Sequence, residues 1–300
     1  MPRRTSLLDI YEALEVPERS FRTLKRIRLK RDLHGQLFTY TTNSALIVKA
    51  DIDGEFCSVK CYVKPSHNLP LVLGDVAVAS SSLLLPAKYY PRELTLLTAD
   101  GCPAEGHDVL ITPWAAGESL NDEVRLAIRA HDGAALARLA TLFDRFALAL
   151  LDAPFAHGDL KLDNMVITAD GELKLIDFDA MWTPRLTNCE ELGTTGYRHP
   201  LRTADHFGPH IDDYPIALIS VVLHALAANP DLATEYEPLP FDSGVSYKPS
   251  AAFDAAVARF RAEENVALVA LSELLKGESP IIPNIRELIT ELVNSPIDAS

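Results

Sequence analysis

The chain has 300 residues, 48% hydrophobic and 23% charged, with a formal net charge of -14. At this length roughly 75% of the unfolded surface is buried on folding, the balance of a globular protein with one large or two smaller domains. The acidic excess argues against a nucleic-acid partner, which needs clustered cations to displace counterions. No apolar stretch reaches the roughly 18 residues that cross a bilayer, and no apolar signal core leads the chain, so the expected setting is cytoplasmic, without a membrane partner.

In chain order, the opening residues 3–31 are basic and read as a solvated helical face or a small docking patch, an extension ahead of the first domain. Three β-branched or aromatic runs follow at 38–42, 45–50 and 56–63. The last two are joined by Asp51-Ile52-Asp53-Gly54, a hairpin signal. Residues 93–98 and 108–112 read as two more strands around a Gly/Pro-bearing turn, which makes a five-stranded antiparallel sheet. Cys57 and Cys61, four apart in one strand, share a face as a reduced core pair. With Cys102 and Cys189 they form neither CxxC knuckles nor a disulfide framework.

After Pro113-Trp114-Ala115-Ala116-Gly117 the apolar spacing changes to three and four, which predicts amphipathic helices over 120–130 and 134–151. Two short strands, 165–167 and 173–176, flank a turn at 168–172. Helices are predicted at 214–228, 251–275 and 283–294, with a Pro/Gly/Ser-rich loop at 238–250. The fold class is therefore α+β, with a β-rich domain over 1–112 and a mainly helical one over 113–300.

One constellation carries chemistry: His157-Gly158-Asp159-Leu160-Lys161-Leu162-Asp163-Asn164, then Asp177-Phe178-Asp179 beyond the predicted hairpin. Moving a terminal phosphoryl group requires cations, a held metal and a group that positions the acceptor oxygen. Asp159 is the candidate base and Lys161 the cation on the same loop. Asn164 offers magnesium a neutral oxygen and Asp177 an anionic one. A bare carboxylate after apolar Leu175-Ile176 would be costly without such a partner.

These residues resemble the protein-kinase-like superfamily over most of 40–294. The glycine after the loop histidine is similar to that of aminoglycoside and choline kinases and many atypical bacterial kinases, whereas Asp159-Leu160-Lys161 is closer to protein serine/threonine kinases. The resemblance implies a two-lobed fold that uses ATP and Mg. Cys57-Ser58-Val59-Lys60 resembles the third-strand V-A-I-K, so Lys60 would meet the phosphates and Ser58 would lie beneath adenine, with Lys64 as the alternative lysine. Thr112 falls at the gatekeeper position, and Pro113 and Ala115 at the hinge groups that bind adenine; proline keeps its carbonyl and Ala115 its N–H. Gly193-Thr194-Thr195-Gly196-Tyr197-Arg198-His199-Pro200 resembles the end of an activation segment. Asp212 resembles the aspartate that braces the catalytic loop, leaving Asp213 to cap the following helix.

Departures from the family pattern are as specific. Thr41-Thr42-Asn43-Ser44-Ala45 stands where a glycine-rich phosphate loop is expected, so hydroxyls and amides of Thr42, Asn43 and Ser44 would have to substitute. Residues 68–87 hold no glutamate to pair with Lys60, which leaves Asp75 or Glu93. Gly158 replaces an arginine that receives activation-loop phosphate, His199-Pro200-Leu201-Arg202 lacks the A-P-E glutamate, and Asp179 replaces a glycine. Pro209 breaks any helix aligning His206 with His210, which argues against a metal site with His199. His157 reads as a buried scaffold residue beneath Phe178. Thr194 and Thr195 are candidate autophosphorylation positions. The expected activity is transfer of the γ-phosphate of ATP to a hydroxyl, of a protein serine or threonine before a small molecule. A nucleotide-binding pseudokinase scaffold is the alternative.

Overall fold

The computed structural model describes residues 5–42, 44–79, 82–97, 103–114, 117–188, 190–233 and 250–295. The chain divides into two compact units, Met1–Leu73 with Leu85–Ala115, and Gly74–Leu84 with Ala116–Ser300. Among the described residues no helix is long and apolar enough to cross a membrane.

The first unit contains α1 (Leu7–Leu14), α2 (Pro17–Ser20), β1 (Arg28–Leu29), β2 (Thr39–Thr41), β3 (Ala45–Ile52), β4 (Glu55–Tyr62), the start of α3 (Leu69–Ala79), β5 (Lys88–Leu97) and β6 (Pro103–Pro113). The strands form an antiparallel sheet in the order β1-β3-β4-β6-β5, with β2 also on β3. Six strands stand where five were expected, since β1 is only two residues long and too short to show a period. The β3–β4 hairpin turns on Asp53 and Gly54, both at positive φ (53° and 93°), the twist that two-residue hairpins require. Asp51 Oδ1 accepts the Gly54 amide at 3.0 Å and fixes the turn.

Strand alternation sends Leu46, Val48 and Ala50, Val59 and Cys61, and Val109 and Ile111 into one apolar cluster. Cys57 packs against it, and neither thiol is in a disulfide. Ile10, Ala13 and Leu14 of α1 and Phe21 complete the cluster, which corrects the expectation for the N-terminus. Its apolar residues recur at i, i+3 and i+4 and bury one stripe of α1, while Arg19, Arg22, Arg26, Arg28 and Arg31 lie on exposed positions. Ser6 and Asp9 form a reciprocal capping box that starts the helix. The opposite face of the sheet carries Ile47, Lys49, Ser58, Lys60, Leu110 and Thr112 in mutual register.

Helix α3 was not expected. Leu69-Pro70-Leu71-Val72-Leu73 is apolar at every position, so no 3.6-residue stripe is visible, and Gly74 and β-branched valines lower the local propensity. Ser66 Oγ accepts the Leu69 amide at 3.1 Å at the helix start.

The second unit contains the rest of α3, then α4 (Leu120–Arg129), α5 (Gly133–Leu151), β7 (Met165–Ile167), β8 (Leu173–Leu175), α6 (Asp213–Ala228), α7 (Ala251–Ala262), α8 (Val266–Leu274) and α9 (Ile285–Asn294). Its core is α6, buried from Asp213 through Leu226 and packed on α5. The β7–β8 hairpin is covered along both edges: Ser119 bridges Val166, and Leu83 O accepts the Leu175 amide at 2.8 Å. The single helix expected over 251–275 is two. The break is polar Glu263-Glu264-Asn265, with Glu264 at φ 56° and Asn265 Oδ1 accepting the Leu268 amide at 3.0 Å to start α8. The expected loop at 238–250 lies, apart from Ser250, outside the described residues.

Candidate functional site

In the second unit the loop at 157–164 is held from below by Asp212. Its Oδ2 accepts the His157 amide and its Oδ1 the Gly158 amide at 2.9 Å. Burial raises the pKa of Asp212 above the usual carboxylate value, and the nearby His157, the two amides and Arg202 pull it back. Asp213 is not the helix cap the sequence suggested. Asp212 occupies that position with its side chain directed to the loop, and Asp213 is the first residue of α6, buried, 3.2 Å from His210 Nδ1. Burial pushes Asp213 up to about 7, with His210 working in the opposite sense.

Gly158 is required by space as well as conformation. Its φ is +78°, and a Cβ would lie 2.0 Å from the Ala180 carbonyl oxygen. Arg202 Nη1 donates to Gly158 O at 2.9 Å, a support the sequence reading did not anticipate. Nothing in His199-Pro200-Leu201-Arg202 marks which of its side chains turns inward.

Asp159 stands at the loop's centre, its side chain 15% exposed. Oδ1 accepts the Thr194 amide at 2.5 Å, while Oδ2 lies 3.2 Å from Asn164 Nδ2 and 3.4 Å from Lys161 Nζ. Lys161 also donates to Thr194 Oγ1 at 3.1 Å, and Asn164 Nδ2 to Asp159 O at 2.9 Å. The amide nitrogen of Asn164 is therefore spent on Asp159, and Oδ1 is the atom suited to a cation. Asn164 O accepts the Ile176 amide at 3.0 Å, so Asp177 follows directly on the residue paired with Asn164. Asp177 has φ 68°, a left-handed conformation costly for a non-glycine residue. Phe178 beside it is buried.

His157 is wholly buried, and its Nε2 donates to Ile176 O at 2.9 Å, because a carbonyl can only accept. It ties the loop to the strand that delivers Asp177. The three histidines weighed as a metal site, His199, His206 and His210, are engaged within the protein. His199 lies between Gly277 O and the Leu201 amide, His206 accepts from Thr203 N, and His210 faces Asp213. Among the described residues no group of three or more His, Cys, Asp or Glu side chains is placed to hold a metal. Asn164 Oδ1 and the Asp177 carboxylate are the oxygen donors that could hold a hard divalent ion here.

In the first unit Lys60 is 6% exposed, with Nζ 5.3 Å from the Tyr62 ring centroid. Ser58 pairs with Thr112 in register, and Pro113 with Cys57. Pro113 is exposed and the Trp114 amide donates to Phe56 O at 2.8 Å; Ala115 lies outside the described residues. In the turn before β3, Thr42 Oγ1 accepts the amides of Ser44 at 3.3 Å and Ala45 at 3.0 Å. The Ser44 and Ala45 amides are therefore directed inward, to Thr42; Asn43 lies outside the described residues.

Both acids offered as partners of Lys60 are committed elsewhere. Glu93 accepts the Thr23 and Leu24 amides at 2.6 and 2.8 Å and the Thr23 hydroxyl at 2.8 Å. Asp75 pairs with Arg185 Nε at 2.6 Å and accepts from Thr183 Oγ1 at 2.6 Å. Those contacts hold Asp75 below the usual carboxylate range, the Arg185 hydrogen bond first. In comparison with known proteins, no family model matches this chain and no curated protein matches it.

Proposed function

We propose that the chain is a phosphotransferase of the protein-kinase-like type, its two units corresponding to the two lobes of that fold, which moves the γ-phosphate of ATP to a hydroxyl with magnesium. The observation that carries this reading is the mutual contact of Asp159, Lys161 and Asn164, with Asp177 placed next to Asn164 by the β7–β8 hairpin. Asp159, Lys161 and Asn164 are in contact, and Asp177, 18 positions after Asp159 in the sequence, follows directly on the residue paired with Asn164.

In this reading Asn164 Oδ1 and the Asp177 carboxylate hold magnesium, which when bound neutralises charge on the phosphates. Asp159 orients the acceptor hydroxyl and takes its proton. Lys161, fixed by Asp159 and Thr194, places a cation at the transferring group. Lys60 is assigned to the phosphates, Ser58 and Thr112 to the adenine, with Pro113 and Ala115 as the backbone groups beside it. Gly158 does not favour a small-molecule acceptor, since the Ala180 carbonyl alone accounts for it. The contact of Thr194 with Asp159 and Lys161 joins the 193–200 segment to the proposed base, and this supports a protein serine or threonine as acceptor.

A second reading, a nucleotide-binding scaffold without transfer, is favoured by two observations: the inward amides at Ser44 and Ala45, and the engagement of Asp75 and Glu93 away from Lys60. Incubation with γ-labelled ATP and magnesium, followed by mass spectrometry of the protein and of added acceptors, separates the two. Label on a hydroxyl supports transfer. Nucleotide binding with no labelled product supports the scaffold, and absence of both ends the kinase reading.

A further inference from the structure

Within the second unit, a cavity of about 750 Å³ lies where the ends of five helices meet: the N-termini of α5 and α8 and the C-termini of α6, α7 and α9. Its size is that of small-molecule sites. It is lined by His224, whose side chain is 5% exposed and whose Nε2 lies 2.7 Å from the buried carboxylate of Asp144. Asp144 also accepts from Ser220 Oγ. A carboxylate only accepts, so Nε2 carries a proton, and Nδ1 is the ring nitrogen left to a ligand at a nearly buried residue of the wall.

We propose that this cavity binds an aliphatic diamine or polyamine, with one ammonium donating to His224 Nδ1 and a second facing Glu264 and Glu291. Three observations select a cation. The lining has one guanidinium, Arg259, already paired with Glu263 at 2.7 Å, so Glu264 and Glu291 remain in excess. The helix ends that favour anions are neutralised by their own caps, Asp132 on α5 and Asn265 on α8. Of the ends that favour cations, α7 has Arg259 and Arg261 in its last turn, whereas neither α6 nor α9 has a basic residue there. The acids are too dispersed for one metal ion, no metal-holding group of three being present among the described residues. An elongated cation spans them. Its methylene chain would lie along Ala134, Ala137 and Ala227, which leave the floor free of bulk. This inference is independent of the phosphotransfer reading.

Isothermal titration of the intact protein with spermidine at fixed ionic strength tests it. Saturable one-to-one binding is expected, weakened about tenfold by Glu291→Gln, the loss of one charge-assisted contact. Butylamine, which can satisfy only one end of the site, is expected to bind at least about tenfold more weakly. Ala134→Phe sits on an exposed position and fills the cavity without entering the core, so binding should vanish while the circular-dichroism melt is kept. Glu172→Gln, an exposed acid in the turn before β8, is the control and should change nothing. No saturable heat, or equal weakening by Glu172→Gln and Glu291→Gln, overturns the proposal.

Discussion

Asp159 and Asp177 reach their places by different means, and the two should fail differently. Asp159 is oriented by neutral donors and one lysine, so Asp159→Asn removes the proposed proton acceptor and keeps one of the two accepting oxygens of the side chain. Transfer is expected to fall by about 10² to 10⁴-fold, with ATP affinity kept. Asp177→Ala is expected to abolish transfer and also the magnesium-dependent part of nucleotide binding, read by calorimetric titration with and without the metal. Equal nucleotide affinity in both variants would refute the division of roles. Beneath them, the two aspartates at the start of α6 tie stability to pH. Asp213 binds its proton with a folded value of about 7 against an ordinary 3.8. Its contribution is therefore greatest at acid pH and is lost as pH rises from about 4 through about 7. Asp212 is shifted in the same direction. Urea unfolding at pH 5 and pH 8 should show Asp213→Asn gaining on the parent protein at the higher pH, and a gap that does not change would contradict the assignment.

At the scale of elements, legibility followed how local the determinant is. The β3–β4 hairpin was readable because Asp53-Gly54 supplies two positive-φ residues between alternating strands. Nothing lies within 4 Å of a Cβ added at Gly54, so Gly54→Ala is expected to cost about 1 to 2 kcal/mol in backbone strain alone. Helix α1 was misjudged because composition averages over faces. Nine basic residues among the first 31 concealed the Ile10, Ala13 and Leu14 stripe. Leu14→Ala should accordingly destabilise the protein by about 2 to 5 kcal/mol, as a core truncation does and a solvated extension does not. Thermal melts of the two variants separate these effects. Helix α3 stayed invisible for the opposite reason, an apolar run with no polar side to give it a period. The α7–α8 break was passed over because three polar residues interrupt, without ending, a pattern that stays in phase.

For the whole molecule, the division into two units cuts across the order of the sequence, since Gly74–Leu84 belongs with Ala116–Ser300. Those residues cover the edge of β8 through Leu83 O and give Lys174 Nζ the carbonyl of Ser82 at 2.6 Å. A fragment of residues 116–300 is therefore expected to be less stable than one that also carries 74–84, and to associate through the uncovered edge. Denaturant unfolding and light scattering of the two fragments would check this, and equal stability would sink it. By itself the sequence determined the α+β class, most strand and helix positions, and the local groupings Asp159-Lys161-Asn164 and Ser58-Lys60, because these rest on periodicity and on spacing within one loop or strand. The brace from Asp212 to the loop amides was expected from the resemblance; tertiary structure alone decided that Arg202 and Thr194 hold that loop from the far side, and that Asp75 and Glu93 are engaged elsewhere. Each of those contacts joins residues from about 35 to more than 100 positions apart. Which buried polar group meets which is settled by the packing that excludes water around them, and no short stretch of chain encodes that choice.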